Sequence, residues 1–152
     1  MDRYFREVCQ EHNYDGLHPT DIDIVETVQK YALRVCTKSW DLSYDDLLNA
    51  TSVSPLHQRR IIACLCHLYK VLNGLTEFPN APVQPKNFPY NSRLASSSYL
   101  NVPKFRTFSH GHSFFPNTIT LWNNLPSDIR GCNSHQSFKS NVTKYINNNR
   151  MH

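Results

Sequence analysis

The run SPLHQRRIIACLCHLYKVLNG, Ser54 to Gly74, decides the fold class. Ile61, Ile62, Leu65, Leu68, Tyr69 and Leu72 recur at the spacing of one helical face. Arg60, His67 and Lys70 fall on the opposite side, so the helix is two-faced. Ser54 is placed to cap it, Pro55 suits the first helical position, and Gly74 suits a left-handed C-terminal residue. A helical period carried between such start and stop signals predicts an α-helical domain.

Working outward, TDIDIVETVQKYALRVCTK (20–38) predicts an amphipathic helix. Ile24, Val25, Val28, Tyr31, Ala32, Val35 and Cys36 recur at helical spacing, Thr20 is the expected N-cap and Lys38 stands at the end. In LSYDDLLNA, Ser43 and Asp46 form an S-x-x-D start signal for a short helix burying Leu47 and Leu48. From Leu75 to Ser113 the character changes, with five of the nine prolines (79, 82, 85, 89 and 103) and the run Ser96-Ser97-Ser98. That stretch is a linker or an extended arm. Phe88, Tyr90, Tyr99, Phe105 and Phe108 argue that it lies on protein, and YLNVPKFRTF has room for a short strand. The last helix is SHQSFKSNVTKYINNN, capped by Ser134, with Phe138, Val142, Tyr145 and Ile146 on one face. The expectation is one domain over residues 1–152, a mostly α small helical bundle. Its parts are a helical segment (20–74), a proline- and serine-rich arm (75–113), and an aromatic box with the C-terminal helix (114–148).

No run of about 18 apolar residues exists to cross a membrane. The N-terminal MDRYFREVCQEHNYDG lacks the apolar centre of a secretory signal. The five cysteines are odd in number and irregularly spaced, as reduced thiols are. These features predict an intracellular protein, nuclear or cytoplasmic. Residues 1–50 carry five Lys/Arg against ten Asp/Glu, whereas residues 51–152 carry eleven against two, Glu77 and Asp128. A basic, aromatic-rich C-terminal part is the electrostatic profile of a nucleic-acid contact surface, or else a solvated basic face.

Candidate chemistry is sparse. SYDDLL resembles a Y-x-D-D metal-binding box, but Ser43 stands where the box needs an aromatic, so Asp45 and Asp46 read as first-turn helix acids. Cys64 and Cys66 are two apart on a helix and diverge. Cys64 and His67 share a face, but two ligands do not make a structural site. Cys132, His135, His110 and His112 could supply four zinc ligands if a loop brought them together. With four glycines in the chain, no nucleophile elbow, P-loop or dinucleotide fingerprint can be written. The expectation is therefore no enzyme, no cofactor and no small-molecule substrate. Basic residues interleaved with aromatics remain, since rings stack on unpaired bases while Lys and Arg follow phosphates. The candidates for contact with RNA or single-stranded DNA are Arg59, Arg60 and Lys70 on the helix, with Arg93, Tyr99, Lys104, Phe105 and Arg106 on the arm. In the uncharged FFPNTITLWNNLP, Phe114, Phe115 and Trp122 read as buried.

The order of segments is similar to the C-terminal region of a LINE-like (non-long-terminal-repeat, jockey-like) retrotransposon reverse transcriptase, downstream of its polymerase. The resemblance rests on Val25-Glu26-Thr27-Val28-Gln29, then Leu42-Ser43-Tyr44, then Arg59-Arg60 through Tyr69-Lys70-Val71-Leu72-Asn73-Gly74. Ser113-Phe114-Phe115-Pro116, Trp122-Asn123-Asn124-Leu125-Pro126 and Ser137-Phe138-Lys139 complete it, covering about residues 22–146. Leu47 replaces the family's Arg, and Lys30-Tyr31 keeps half of a basic pair. The resemblance implies a non-catalytic tail of an RNA-directed DNA polymerase, without palm or endonuclease, whose partner would be the polymerase portion of a parent element. It also implies that FFPNTITLWNNLP is a short helical turn pinned by Phe and Trp and bounded by Pro116 and Pro126.

Overall fold

The computed structural model describes residues 19–86, 98–107, 111 and 113–148. Among them lie six helices: α1 (Pro19–Thr37), α2 (Tyr44–Thr51), α3 (Leu56–Leu72), α4 (Phe114–Asn124), α5 (Ser127–Arg130) and α6 (His135–Asn148). The mostly helical expectation holds. No described helix is long and apolar enough to cross a membrane.

α1 begins at Pro19, so Thr20 lies inside the first turn instead of capping it. Proline fits there because first-turn N–H groups have no intrahelical acceptor. The side of α1 that packs is not the apolar stripe read from sequence. Leu33 is buried, whereas Ile24, Val28, Tyr31 and Val35 are exposed. Leu33 meets Leu47 and Leu48 of α2 in a small core edged by Tyr44 and Val53. Ser43 caps α2 as expected, its hydroxyl accepting from the Asp46 N–H at 3.2 Å.

α3 starts one residue later than its sequence suggests. Pro55 occupies the N-cap position with no side-chain bond to offer, and Ser54 supplies only its carbonyl, which accepts from Gln29 Nε2 at 3.3 Å. The cap comes from α1 instead: the His57 N–H donates to Glu26 Oε1 at 2.8 Å. At the other end Gly74 takes φ +65°, as foreseen. The Gly74 N–H donates to the Val71 carbonyl at 3.3 Å and the Leu75 N–H to the Lys70 carbonyl at 2.8 Å, closing a Schellman motif. Leu72, expected in the buried stripe, is exposed.

The larger core joins α3 to α4, α5 and α6. Pro116 sits within the first turn of α4, where its missing N–H costs nothing. FFPNTITLWNN therefore forms an 11-residue helix rather than a short turn bounded by Pro116. Pro126 does bound it, becoming the N-cap of α5. Ser134 caps α6 by accepting from the Ser137 N–H at 3.1 Å. Phe138, Val142 and Ile146 are buried on the expected face. Phe138 stacks on Tyr69 with centroids 4.5 Å apart and lies 5.5 Å from Trp122.

The described parts of the arm lie on this core. In place of a strand there is one isolated antiparallel bridge, Pro85 to Leu100. The Lys86 N–H donates to the Tyr99 carbonyl and the Asn101 N–H to the Gln84 carbonyl, each at 2.8 Å. Asn123 of α4 grips both backbone groups of buried Leu100, accepting from its N–H and donating to its carbonyl at 2.9 Å each. Trp122 Nε1 donates to the Ser98 carbonyl at 3.0 Å. Side-chain amide and indole thus satisfy backbone that no sheet pairs. Phe88, Tyr90 and Phe108 lie outside the described residues.

Candidate nucleic-acid interface

Residues 59, 62, 66 and 70, and 59, 63, 67 and 70, are spaced three or four apart and so share one side of α3. His135, Lys139 and Thr143 do the same on α6, four residues apart. Between these two sides, with Ser54 at one end, runs a groove of about 560 Å³. Buried Ile62 and Cys66 give it an apolar floor. Arg59, Lys70 and Lys139 supply its charge, His67 and His135 add imidazoles, and no carboxylate among the described residues lines it. Burial pushes the Cys66 thiol up, opposed by the positive charges of Lys139 and Lys70.

Arg59 is held at the groove by a polar junction that α1, α2 and α3 share. Its Nη2 donates to Gln29 Oε1. Gln29 Nε2 donates in turn to the Tyr44 hydroxyl at 3.0 Å, and that hydroxyl donates to Glu26 Oε2 at 2.5 Å. Glu26 Oε1 also lies 3.1 Å from His57 Nδ1. Burial works to raise the Glu26 carboxyl, but the bonds from Tyr44 and His57 outweigh it and hold the group below its ordinary 4.5. Burial and the adjacent Glu26 carboxylate push the Tyr44 phenol well above its ordinary value. A guanidinium carries five donors, and the bond to Gln29 engages one nitrogen, so Arg59 is positioned without being consumed.

An aromatic cluster adjoins the groove at His67. The His67 ring meets Phe114 edge-on at 5.4 Å and Phe78 at 6.5 Å. Phe115 meets Phe114 at 5.1 Å and Phe78 at 5.0 Å, again edge-on. Phe78 is exposed, and Phe114 and Phe115 are half-buried. Of the three residues read as buried, only Trp122 is fully so.

The structure sorts the remaining sequence candidates. Arg59 and Lys70 meet at the groove, while Arg60 is half-buried and does not line it. Tyr99 lines a separate cleft of about 330 Å³, and one face of its ring is covered by the Arg130 guanidinium at 4.0 Å. Lys104, Phe105 and Arg106 are exposed on the arm and do not line the groove, and Arg93 lies outside the described residues. Lys139 was missed. Its sequence signals are its place in the resemblance motif Ser137-Phe138-Lys139 and its spacing four residues from both His135 and Thr143 on α6.

Of the zinc set, the two described members line different cavities. His110 and His112 lie outside the described residues, His135 faces the α3–α6 groove, and Cys132 lines the cleft beside Arg130. Cys132 Sγ accepts from Asn141 Nδ2 at 3.4 Å. No three His, Cys, Asp or Glu residues cluster as metal ligands among the described residues. Asp45 and Asp46 are exposed in the first turn of α2, where Asp46 accepts from the Ser43 hydroxyl at 2.6 Å. No protein-family model, curated protein or solved structure matches the chain.

Proposed function

We propose that the chain is a non-catalytic module, as the resemblance to a reverse-transcriptase tail implies, and that it contacts RNA or single-stranded DNA through the α3–α6 groove. One observation carries this reading. Arg59, Lys70 and Lys139 surround a groove that no carboxylate among the described residues lines, beside aromatic rings that reach solvent at Phe78. Cations neutralise phosphates while aromatic faces accept unstacked bases, and single strands present both together. Fluorescence anisotropy of a labelled single-stranded RNA at stepped salt concentrations tests it. Binding weakens with salt, and Lys70→Ala and Lys139→Ala each flatten the logarithmic salt slope by roughly 0.7. Arg60→Ala, outside the groove, changes the slope less. A folded sample that does not bind, or that binds equally well without both lysines, removes this reading.

A second reading, a structural module without nucleic-acid binding, is favoured by how the resemblance motifs are used. Glu26, Gln29, Tyr44, Tyr69, Trp122 and Asn123 all spend their polar atoms on bonds within the chain. The same titration separates the two.

A further inference from the structure

The cleft beside the arm holds a buried cation that no described carboxylate neutralises. Arg130 of α5 is 6% exposed, and its Nε and Nη1 are buried without a hydrogen-bond partner. A guanidinium stays charged when buried, so N–H groups left unpaired there carry a heavy desolvation cost. The Tyr99 ring at 4.0 Å offsets part of it, but a ring face supplies no acceptor in the plane of the N–H groups. No described residue lining the cleft is acidic. Asp128, two residues away, is exposed and accepts from the Ser127 hydroxyl at 3.4 Å.

The walls select the anion. Leu72, Leu100 and Trp122 give the cleft of about 330 Å³ an apolar lining, and its size is at the small end of ligand sites. Polar groups of the walls are used within the chain. Trp122 Nε1 donates to the Ser98 carbonyl at 3.0 Å, and the Tyr69 hydroxyl donates to the Cys132 carbonyl at 2.8 Å. Asn73 Nδ2 donates to the Tyr69 carbonyl at 2.8 Å. One buried cation among apolar walls matches one negative charge on a short hydrocarbon tail. A phosphate dianion would leave its second charge uncompensated in the same walls. We propose that the cleft binds a small aliphatic monocarboxylate, its oxygens accepting from Arg130 and its tail against Leu72, Leu100 and Trp122. The guanidinium need only turn over the Tyr99 face to bring its unpaired nitrogens to the cleft. A carboxylate then accepts charge-assisted bonds from it.

Trp122 lines the cleft, so its emission reports on it, and Trp40→Phe at an exposed position removes the other tryptophan. Titration of the full Trp40→Phe chain with sodium hexanoate at neutral pH gives a saturable change, with a Kd of about 0.1–1 mM. Hexanamide, of the same length without the charge, and inorganic phosphate each bind at least about tenfold more weakly. Arg130→Gln weakens hexanoate binding by about tenfold or more, whereas Lys144→Gln, at an exposed cation elsewhere, does not. Where Arg130→Gln does not fold, the comparison of hexanoate with hexanamide on the Trp40→Phe chain decides alone. The absence of a saturable change overturns the proposal. So does equal binding of the amide or of phosphate, or undiminished binding by a folded Arg130→Gln chain.

Discussion

Among the described residues, only Leu33, Leu47 and Leu48 are buried apolar side chains around α1 and α2, whereas the core shared by α3, α4, α5 and α6 buries fifteen, Leu100 of the arm among them. The first region compensates with directional bonds: Glu26, Gln29, Tyr44, His57 and Arg59 tie α1 to α2 and α3. The second relies on burial, worth about 2 kcal/mol for each large side chain, and uses hydrogen bonds mainly to fix the arm. Burial is indifferent to pH and to small displacements. A hydrogen-bonded junction with a carboxylate at its centre is sensitive to both. The two ends of one small domain should therefore fail under different stresses.

The largest expected effect breaks the burial-dominated end. Phe138→Ala removes a ring stacked on Tyr69 and packed at a tilt beside Trp122 and costs about 3–5 kcal/mol, seen as a large drop in the urea midpoint. A loss below about 1 kcal/mol would mean that the larger core is not what holds the domain. Next in size is Glu26→Ala, which leaves the His57 N–H and the Tyr44 hydroxyl without their acceptor and costs about 2 kcal/mol. Hydrogen exchange should quicken in α1 and α2 amides and stay slow in α6. Uniform quickening would erase the distinction between the two regions.

The pH dependence sharpens the same contrast. The Glu26 carboxyl is held below its ordinary 4.5, so its contribution is present above that value and is lost as pH falls through the lowered one. The Tyr44 phenol is raised above its ordinary 10.0, so its contribution is present below that value and is lost as pH rises through the raised one. Urea midpoints measured from neutral to acid pH should fall less steeply in Glu26→Gln than in the wild type. The smallest effect concerns a helix end alone. At Gly74 a β-carbon would meet nothing within 4 Å, yet φ is +65°, so Gly74→Ala costs about 1 kcal/mol from backbone conformation only. A larger loss in thermal unfolding would point to packing at that turn.

Much of the fold was legible because its signals are local. The S-x-x-D start of α2, the glycine after α3, the Ser134 cap and the Phe138, Val142, Ile146 face need only a few neighbouring residues to act. The candidate site was half legible. Arg59 and Lys70 share a side of α3, which helical spacing reveals, but Lys139 joins them from 69 residues beyond Lys70. Nothing in a one-dimensional pattern brings α6 alongside α3.

The sequence by itself determined that α1 is a helix with an apolar stripe, that Pro116 and Pro126 punctuate the aromatic segment, and that the excess of basic over acidic residues lies after residue 50. Only the tertiary structure decided that α1 turns the side bearing Leu33, Glu26 and Gln29 inward and leaves the stripe outside. It also decided that a carboxylate of α1 caps α3, and that Pro116 lies within a helix rather than at its edge. Periodicity measures how apolar a face is, not what lies against it. A face is chosen by the summed fit of partners distant in sequence, and here hydrogen bonds to Tyr44 and His57 with contacts to Leu47 and Leu48 outweighed a larger apolar surface that stays exposed.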